Sequence, residues 1–294
     1  MTYTSDTISL YSSGYTSLAH DNIPLFLFSD DDYLYIPISK PTHFIFAIYK
    51  LSLDYKHDIS IFTNCIQHAC SGVIIDSVIY ILDNTNYLYS KPESSICRVN
   101  ADGTFDSNVI TGLKYQPIQI LTDKTYIFVI NYNGNIGRLN ITNREYNDNW
   151  VTMDSNNIYL LGGCYHNNIL YVNDLTGNIH KIDIIDPNNP ILIQNWVSLQ
   201  KNMDDSGSNI CNKYNDMDTD GKYLYISQGS SKCVINVDHS HFGITLIDLS
   251  GNILTSSWLS NPEDININSI LIHKETLFLK NDILGKIYSV PTQK

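Results

Sequence analysis

The stretch Gly134-Asn135-Ile136-Gly137-Arg138-Leu139-Asn140-Ile141 returns 43 residues later as Gly177-Asn178-Ile179-His180-Lys181-Ile182-Asp183-Ile184. Apolar and polar residues alternate in both copies, so each reads as a strand with one apolar face. The leading glycine suits a turn that needs positive φ. Looser copies stand at Gly243-Ile244-Thr245-Leu246-Ile247-Asp248-Leu249, at Gly285-Lys286-Ile287-Tyr288-Ser289-Val290 and at Ser95-Ile96-Cys97-Arg98-Val99-Asn100. A motif repeated at this interval marks a repeat architecture.

A second pattern precedes the first. Tyr33-Leu34-Tyr35-Ile36, Val78-Ile79-Tyr80-Ile81, Tyr126-Ile127-Phe128-Val129, Ile169-Leu170-Tyr171-Val172, Tyr223-Leu224-Tyr225-Ile226 and Thr276-Leu277-Phe278-Leu279 are six short aromatic or apolar runs. Their spacings are 45, 48, 43, 54 and 53 residues, close to the roughly 40–50 residues of a four-stranded propeller blade. Each run is preceded by an apolar inner strand where one can be placed: Val73-Ile74-Ile75, Ile118-Gln119-Ile120-Leu121, Ile158-Tyr159-Leu160-Leu161 and Ile270-Leu271-Ile272. Tight turns such as Asp220-Gly221 join the first two strands. All three tryptophans, Trp150, Trp196 and Trp258, fall on the expected outer strand. Their bulk at one register is expected to fill the gap between neighbouring sheets.

The expected architecture is an all-β six-bladed β-propeller, one domain over residues 1–294, with four antiparallel strands per blade; seven blades is the alternative count. The last repeat has three strands before Lys294, and Thr7-Ile8-Ser9-Leu10-Tyr11 has no repeat of its own. The N-terminal strand is therefore expected to close the last blade, which removes exposed sheet edges. Asp220-Gly221-Lys222-Tyr223-Leu224-Tyr225-Ile226 followed by Ile244-Thr245-Leu246-Ile247-Asp248-Leu249 resembles a blade of the lactonase-like and NHL-type propellers. That resemblance implies the fold. In gluconolactonase-like propellers a central divalent metal is held by Glu, Asn and Asp of the inner strands. The inner strands placed above are almost wholly apolar, so that site is not carried over.

Composition excludes several roles. The net charge is −12, and Lys and Arg do not cluster, so neither nucleic acid nor an anionic membrane is an expected partner. No apolar run reaches the ~20 residues of a membrane-spanning helix. Residues 1–11 lack the basic start and apolar core of a secretory signal, and an intracellular (cytoplasmic) or virion-associated location is expected. The chain holds 41 Ile, 32 Asn and 21 Tyr, a bias toward AT-rich codons similar to that of giant amoebal viruses and AT-rich protists. Phosphate-cradling glycine loops, a Gly-x-Ser-x-Gly elbow and His-Glu-x-x-His are all absent from the sequence.

Two excursions account for the longer spacings: residues 200–213 and 228–242. Long loops in compact domains often carry function. Both are expected on the upper face, where the loop after the outer strand and the loop between second and third strands open. They carry Asp204, Asp205 and Asp238 as ligand-binding candidates, joined by Asn131, Asn133, Asn173 and Asp174 from neighbouring loops. His239 and His241 alternate as two residues on one side of a strand do, a pattern that suits a shared divalent metal. Cys211 and Cys233 are the pair placed to form a disulfide. Asp216-Met217-Asp218-Thr219-Asp220-Gly221 matches the opening of a calcium loop, but its twelfth position is Ser227 and it runs into a strand. It reads instead as an acidic turn, like Asp30-Asp31-Asp32. The expected function is a non-enzymatic propeller that binds a protein or glycan through this face, without a resident cofactor. The alternative is a metal-dependent, lactonase-like hydrolase with its site at the channel mouth.

Overall fold

A strand covered by neighbours on both faces must be apolar on both, whereas an outer strand needs only one apolar face. The computed structural model follows that rule. It describes residues 6–8, 23–24, 26–30, 32–40, 45–52, 57–58, 69–83, 94–100, 104–154, 158–199, 212–230, 243–260, 267–281 and 286–292. Among them every regular element is a β-strand. The chain divides into two compact units, Ser9–Asn157 and Met1–Ile8 with Ile158–Lys294. The opening strand β1 (Asp6–Ile8) belongs to the second of these.

The unit Ser9–Asn157 holds three antiparallel sheets. The first joins β2 (Ile23–Pro24), β3 (Phe28–Ser29), β4 (Tyr33–Lys40), β5 (Ile45–Ser52) and β6 (His57–Asp58), with both β2 and β3 on the same edge of β4. It therefore departs from the four-stranded pattern. The second contains β7 (Ala69–Ile75), β8 (Val78–Asp83), β9 (Ser94–Val99) and β10 (Phe105–Leu113). The third contains β11 (Pro117–Thr122), β12 (Tyr126–Asn131), β13 (Asn135–Asn140) and β14 (Tyr146–Thr152). Phe26, Phe28, Tyr35, Ile48, Ile79 and Ile81 pack between the first sheet and the second. Tyr80, Leu82, Ile120, Ile127 and Val129 pack between the second and the third. The second strand of each repeat is thus buried on both sides, which explains its unbroken apolar run.

The other unit repeats the plan. One sheet contains β15 (Leu160–His166), β16 (Ile169–Asp174), β17 (Asn178–Asp183) and β18 (Ile191–Ser198). The next contains β19 (Asn212–Thr219), β20 (Tyr223–Ser230), β21 (Gly243–Asp248) and β22 (Ile253–Ser260). The last contains β23 (Ile267–His273), β24 (Thr276–Asn281) and β25 (Lys286–Pro291), with β1 as its outer strand. Asp6 pairs with Ser289 and Ile8 with Ile287, the expected meeting of the two chain ends. Tyr171, Met217, Leu224 and Ile226 form one inter-sheet core, and Tyr225, Leu246, Ile270 and Leu279 the next.

Of the tryptophans whose side chains are described, Trp196 packs toward the next sheet as expected, whereas Trp150 packs on side chains of its own sheet. Trp150 lies on Phe128 at 5.0 Å between ring centroids, with the Arg138 guanidinium 5.5 Å from its ring. Trp196 packs on Tyr171 and reaches the next sheet, where a Cβ on Gly251 would sit 3.2 Å from its ring. Gly251 has φ +97° and caps the turn into β22. Gly137 serves a tighter approach, because the Tyr146 ring occupies the space where its Cβ would stand. Gly137→Ala is expected to cost about 1–3 kcal/mol through this overlap. A thermal melt would register it, and an unchanged midpoint would contradict the packing.

The acidic turns are also as expected. Asp30 Oδ1 accepts the backbone N–H groups of Asp32 and Tyr33. Asp123 and Asp220 do the same for their own turns. The Tyr35 and Tyr225 hydroxyls donate to the second oxygens of Asp30 and Asp220. The expectation for Asp216 and Asp218 needs correction. These two lie on the inner strand β19 itself, one turn before Asp220. The inner strand Ile158–Leu161 is likewise shifted, to Leu160–His166, and includes Gly162 and Gly163.

Candidate functional site

In the five four-stranded sheets the inner and second strands slip register near the start of the inner strand: at Ala69/Ser71, Pro117/Gln119, Leu160/Gly162, Tyr214/Met217 and Ile267/Ser269. Such bulges re-aim a side chain. In the second sheet the re-aimed residue is Ser71, whose hydroxyl accepts the Ile120 backbone N–H at 3.0 Å from the inner strand of the third. The equivalent residue of β19 is Asp216. Its Oδ2 accepts from the Ser269 hydroxyl at 2.9 Å and from the Ile270 N–H at 3.1 Å. Asp218 Oδ2 takes the Ile272 N–H at 2.6 Å. A polar side chain therefore stitches one inner strand to the next in both units.

Asp218 has no counterpart in the repeat. The matching positions are Val73, Leu121, Cys164 and Leu271, all apolar or weakly polar. Burial pushes the Asp216 carboxyl up to about 6, against the hydrogen bonds from Ile270, Ser269 and Met217 and the attraction of Lys280. It pushes Asp218 up to about 7, against the hydrogen bonds from Ile272 and Thr219. Lys280 itself is 3% exposed and sits opposite Ser269. Burial, with the carboxylates of Asp218 and Asp216 nearby, also raises the Cys164 thiol. The inner strands are thus not wholly apolar. Their acidic residues were missed as strand residues because the calcium-like spacing masked the bulge.

A second polar centre closes the turn between β16 and β17. Asp174 Oδ1 accepts from the Thr176 N–H, the Thr176 hydroxyl and the Asn178 N–H at 2.7–2.9 Å. Its Oδ2 accepts from Asn178 Nδ2 at 3.3 Å and from His180 Nε2 at 3.2 Å. The Asn195 backbone N–H can only donate, and it meets His180 Nδ1 at 3.1 Å. The His180 proton therefore sits on Nε2, facing Asp174. Asp174 and His180 are 1% and 0% exposed. Burial opposes the Asp174 charge, but the hydrogen bonds from His180, Asn178 and Thr176 hold its pKa down to about 2. His180 was legible only as a mismatch: it stands where the sister repeat has Gly137.

The candidate residues fall into two groups. Asp204, Asp205, Cys211, Cys233, Asp238, His239 and His241 lie outside the described residues. Of the others, Asn131 and Asn173 hold equivalent positions near the ends of β12 and β16, buried to 1% and 0% exposure. Asn133 is exposed in the turn that follows β12. Asn131 and Asn133 belong to one unit, and Asn173 and Asp174 to the other. The Asp174 carboxylate is occupied by its own turn and by His180. Among the described residues no three or more His, Cys, Asp or Glu side chains are grouped to hold a metal ion. The cysteines described, Cys70, Cys97 and Cys164, form no disulfide.

No family model matches the chain, and no curated protein matches its sequence. Solved structures match its fold. An auxiliary nutrient binding protein from Bacteroides thetaiotaomicron is similar with TM-score 0.62 at 11% identity, over 91% of this chain and 68% of its own. A catalytically inactive virginiamycin B lyase from Staphylococcus aureus, solved with quinupristin, gives 0.58 at 13% identity, over 93% and 96%. BamB from Moraxella catarrhalis gives 0.52 at 10% identity, over 90% and 81%. The fold is a β-propeller of antiparallel four-stranded blades. Identities this low carry the fold and no activity.

Proposed function

We infer that the chain is a non-enzymatic binding propeller of six blades, latched by its N-terminal strand, that holds a protein or glycan partner on its upper face. The observation that carries this reading is the employment of the inner-strand acids. Asp216 and Asp218 spend their oxygens on the backbone and hydroxyl donors of the neighbouring strand. A hydrolase of the lactonase type needs such groups free for a metal or a water. A nutrient-binding role among the structural neighbours accords with binding.

The remainder of the two excursions, 200–211 and 231–242, supplies the contact surface, with Asp204, Asp205 and Asp238 as hydrogen-bond acceptors for hydroxyl or amide donors. Exposed Asn133 joins it, while buried Asn131 and Asn173 support the strand ends beneath and Asp174 stiffens the turn beside Asn173. The test is a glycan array together with a pull-down, using the full chain and a variant in which residues 200–211 are replaced by a Gly-Ser linker of equal length. Capture lost in a variant that melts normally is the expected result. Unchanged capture removes that loop from the site.

A further inference from the structure

The outer strands of neighbouring repeats differ in what they show to water. In β14 the exposed residues before the tryptophan are Asn147 and Asn149, preceded by exposed Glu145. In β18 the register equivalents begin with isoleucines: Ile193 faces Lys181 just as Asn147 faces Arg138. Ile191 is 62% and Ile193 43% exposed, and Ile185 in the preceding turn is 76% exposed. Gly251, against Trp196 and Val197, leads directly into Ile253 and Leu254 of β22, exposed to 43% and 49%. Apolar residues concentrated on the outer strands of two successive sheets depart from the scatter of single exposed side chains normal for a surface.

β18 is the last strand of its sheet, and among the described residues its outer edge carries no further strand. Edges of this kind are ordinarily blunted by charge. Here the charge lies beside the apolar row. Asp183 faces Ile191 across the sheet, Asp186 sits in the β17–β18 turn, and Asp248 stands just before Asn252 and Ile253. The nearby cation, Lys181, is drawn over the Trp196 ring at 5.6 Å. An apolar row with an acidic border suits a basic partner, and it repels a second copy of a chain whose net charge is −12.

We propose that β18 is a docking edge for an extended segment of another protein, with apolar residues at alternate positions and Lys or Arg flanking them. The segment adds as a fifth strand beside β18. Its apolar side chains cover Ile191 and Ile193, and a flanking cation reaches the acidic β17–β18 turn at Asp186.

The test uses the full chain and a capped nine-residue peptide with Val or Ile at alternate central positions, Thr between them and Lys at both ends, followed by fluorescence anisotropy. Saturable binding is expected, weakening as salt rises, with hydrogen-exchange protection appearing over residues 191–198. Ile193→Glu is expected to weaken it by about tenfold or more. Ile191→Thr with Ile193→Thr keeps strand-forming residues and should show the same loss in a protein of unchanged melting point. A peptide with Glu in place of Lys should not bind. The proposal is overturned by the absence of saturable binding, by equal binding to the variants, or by self-association of the chain that Ile193→Glu abolishes. The last outcome would make a second copy the occupant.

Discussion

Replacing Asp174 by Ala should destabilise the protein by about 3–5 kcal/mol, the cost of stranding several donors that converge on one buried acceptor. The midpoint of thermal unfolding falls by roughly 6–20 °C as a result. The size follows from what is left behind. Five donors lose their acceptor at once, two of them backbone N–H groups and one the ring of a fully buried histidine. The His180 ring, fully buried, then has no water to turn to, while Asn178 Nδ2 keeps only the Thr176 hydroxyl. The effect should reach Trp196, because His180 also holds the backbone of Asn195, a residue at φ +54° beside that ring. A red shift of tryptophan emission in the folded variant would report the loosening. A variant that melts within a degree of the wild type would refute the role given to the cluster.

The same carboxylate predicts acid sensitivity. Its folded pKa of about 2 lies below the ordinary value of 3.8. The stability it contributes is therefore present above about pH 4 and is lost as pH falls toward 2. A shift of this size corresponds to about 2 kcal/mol.

Asp216 and Asp218 titrate with the opposite sign, and this is the second large expected effect. Their folded values of about 6 and about 7 lie above the ordinary 3.8. The folded state holds its protons more tightly than the unfolded chain does. Their contribution is greatest below about pH 4 and declines as pH rises through 6 to 7. The loss between pH 4 and pH 8 should be on the order of 2 kcal/mol after allowance for residual solvent. The double variant Asp216→Asn, Asp218→Asn removes the titration. It carries a constant penalty, since an amide offers one acceptor oxygen where the carboxylate offers two. The decisive readout is therefore the slope of stability against pH rather than its level. Wild type should lose stability across that interval, and the variant should lose much less. Parallel slopes would show that both acids are ordinary surface carboxylates. With Asp174 taken into account, these three groups together place the stability optimum near pH 4.

Much of the fold was legible because its causes are local. The Gly-Asn-Ile stretches at residues 134 and 177 alternate as half-covered strands must, and the runs around Ile127 and Leu170 are apolar because both faces are covered. Asp30, Asp123 and Asp220 cap their turns through neighbours two or three residues away, so the short pattern was enough. The pairing of β1 with β25 was readable from arithmetic, since one repeat lacked a strand and one strand lacked a repeat.

The candidate site was less legible, for a physical reason. A bulge shifts register by one residue and changes which side chain faces the neighbouring sheet. Nothing local in Asp216-Met217-Asp218 announces that shift, so the stretch read as a turn. Likewise His180 acquires its meaning from Asp174, six residues earlier, and Asn195, fifteen later. By itself the sequence determined the strands, their repeat and their turns, because backbone preference and the alternation of apolar residues act over a few positions. The tertiary structure alone decided which polar groups are buried together and which isoleucines stay in water, because burial is set by residues far apart in the chain.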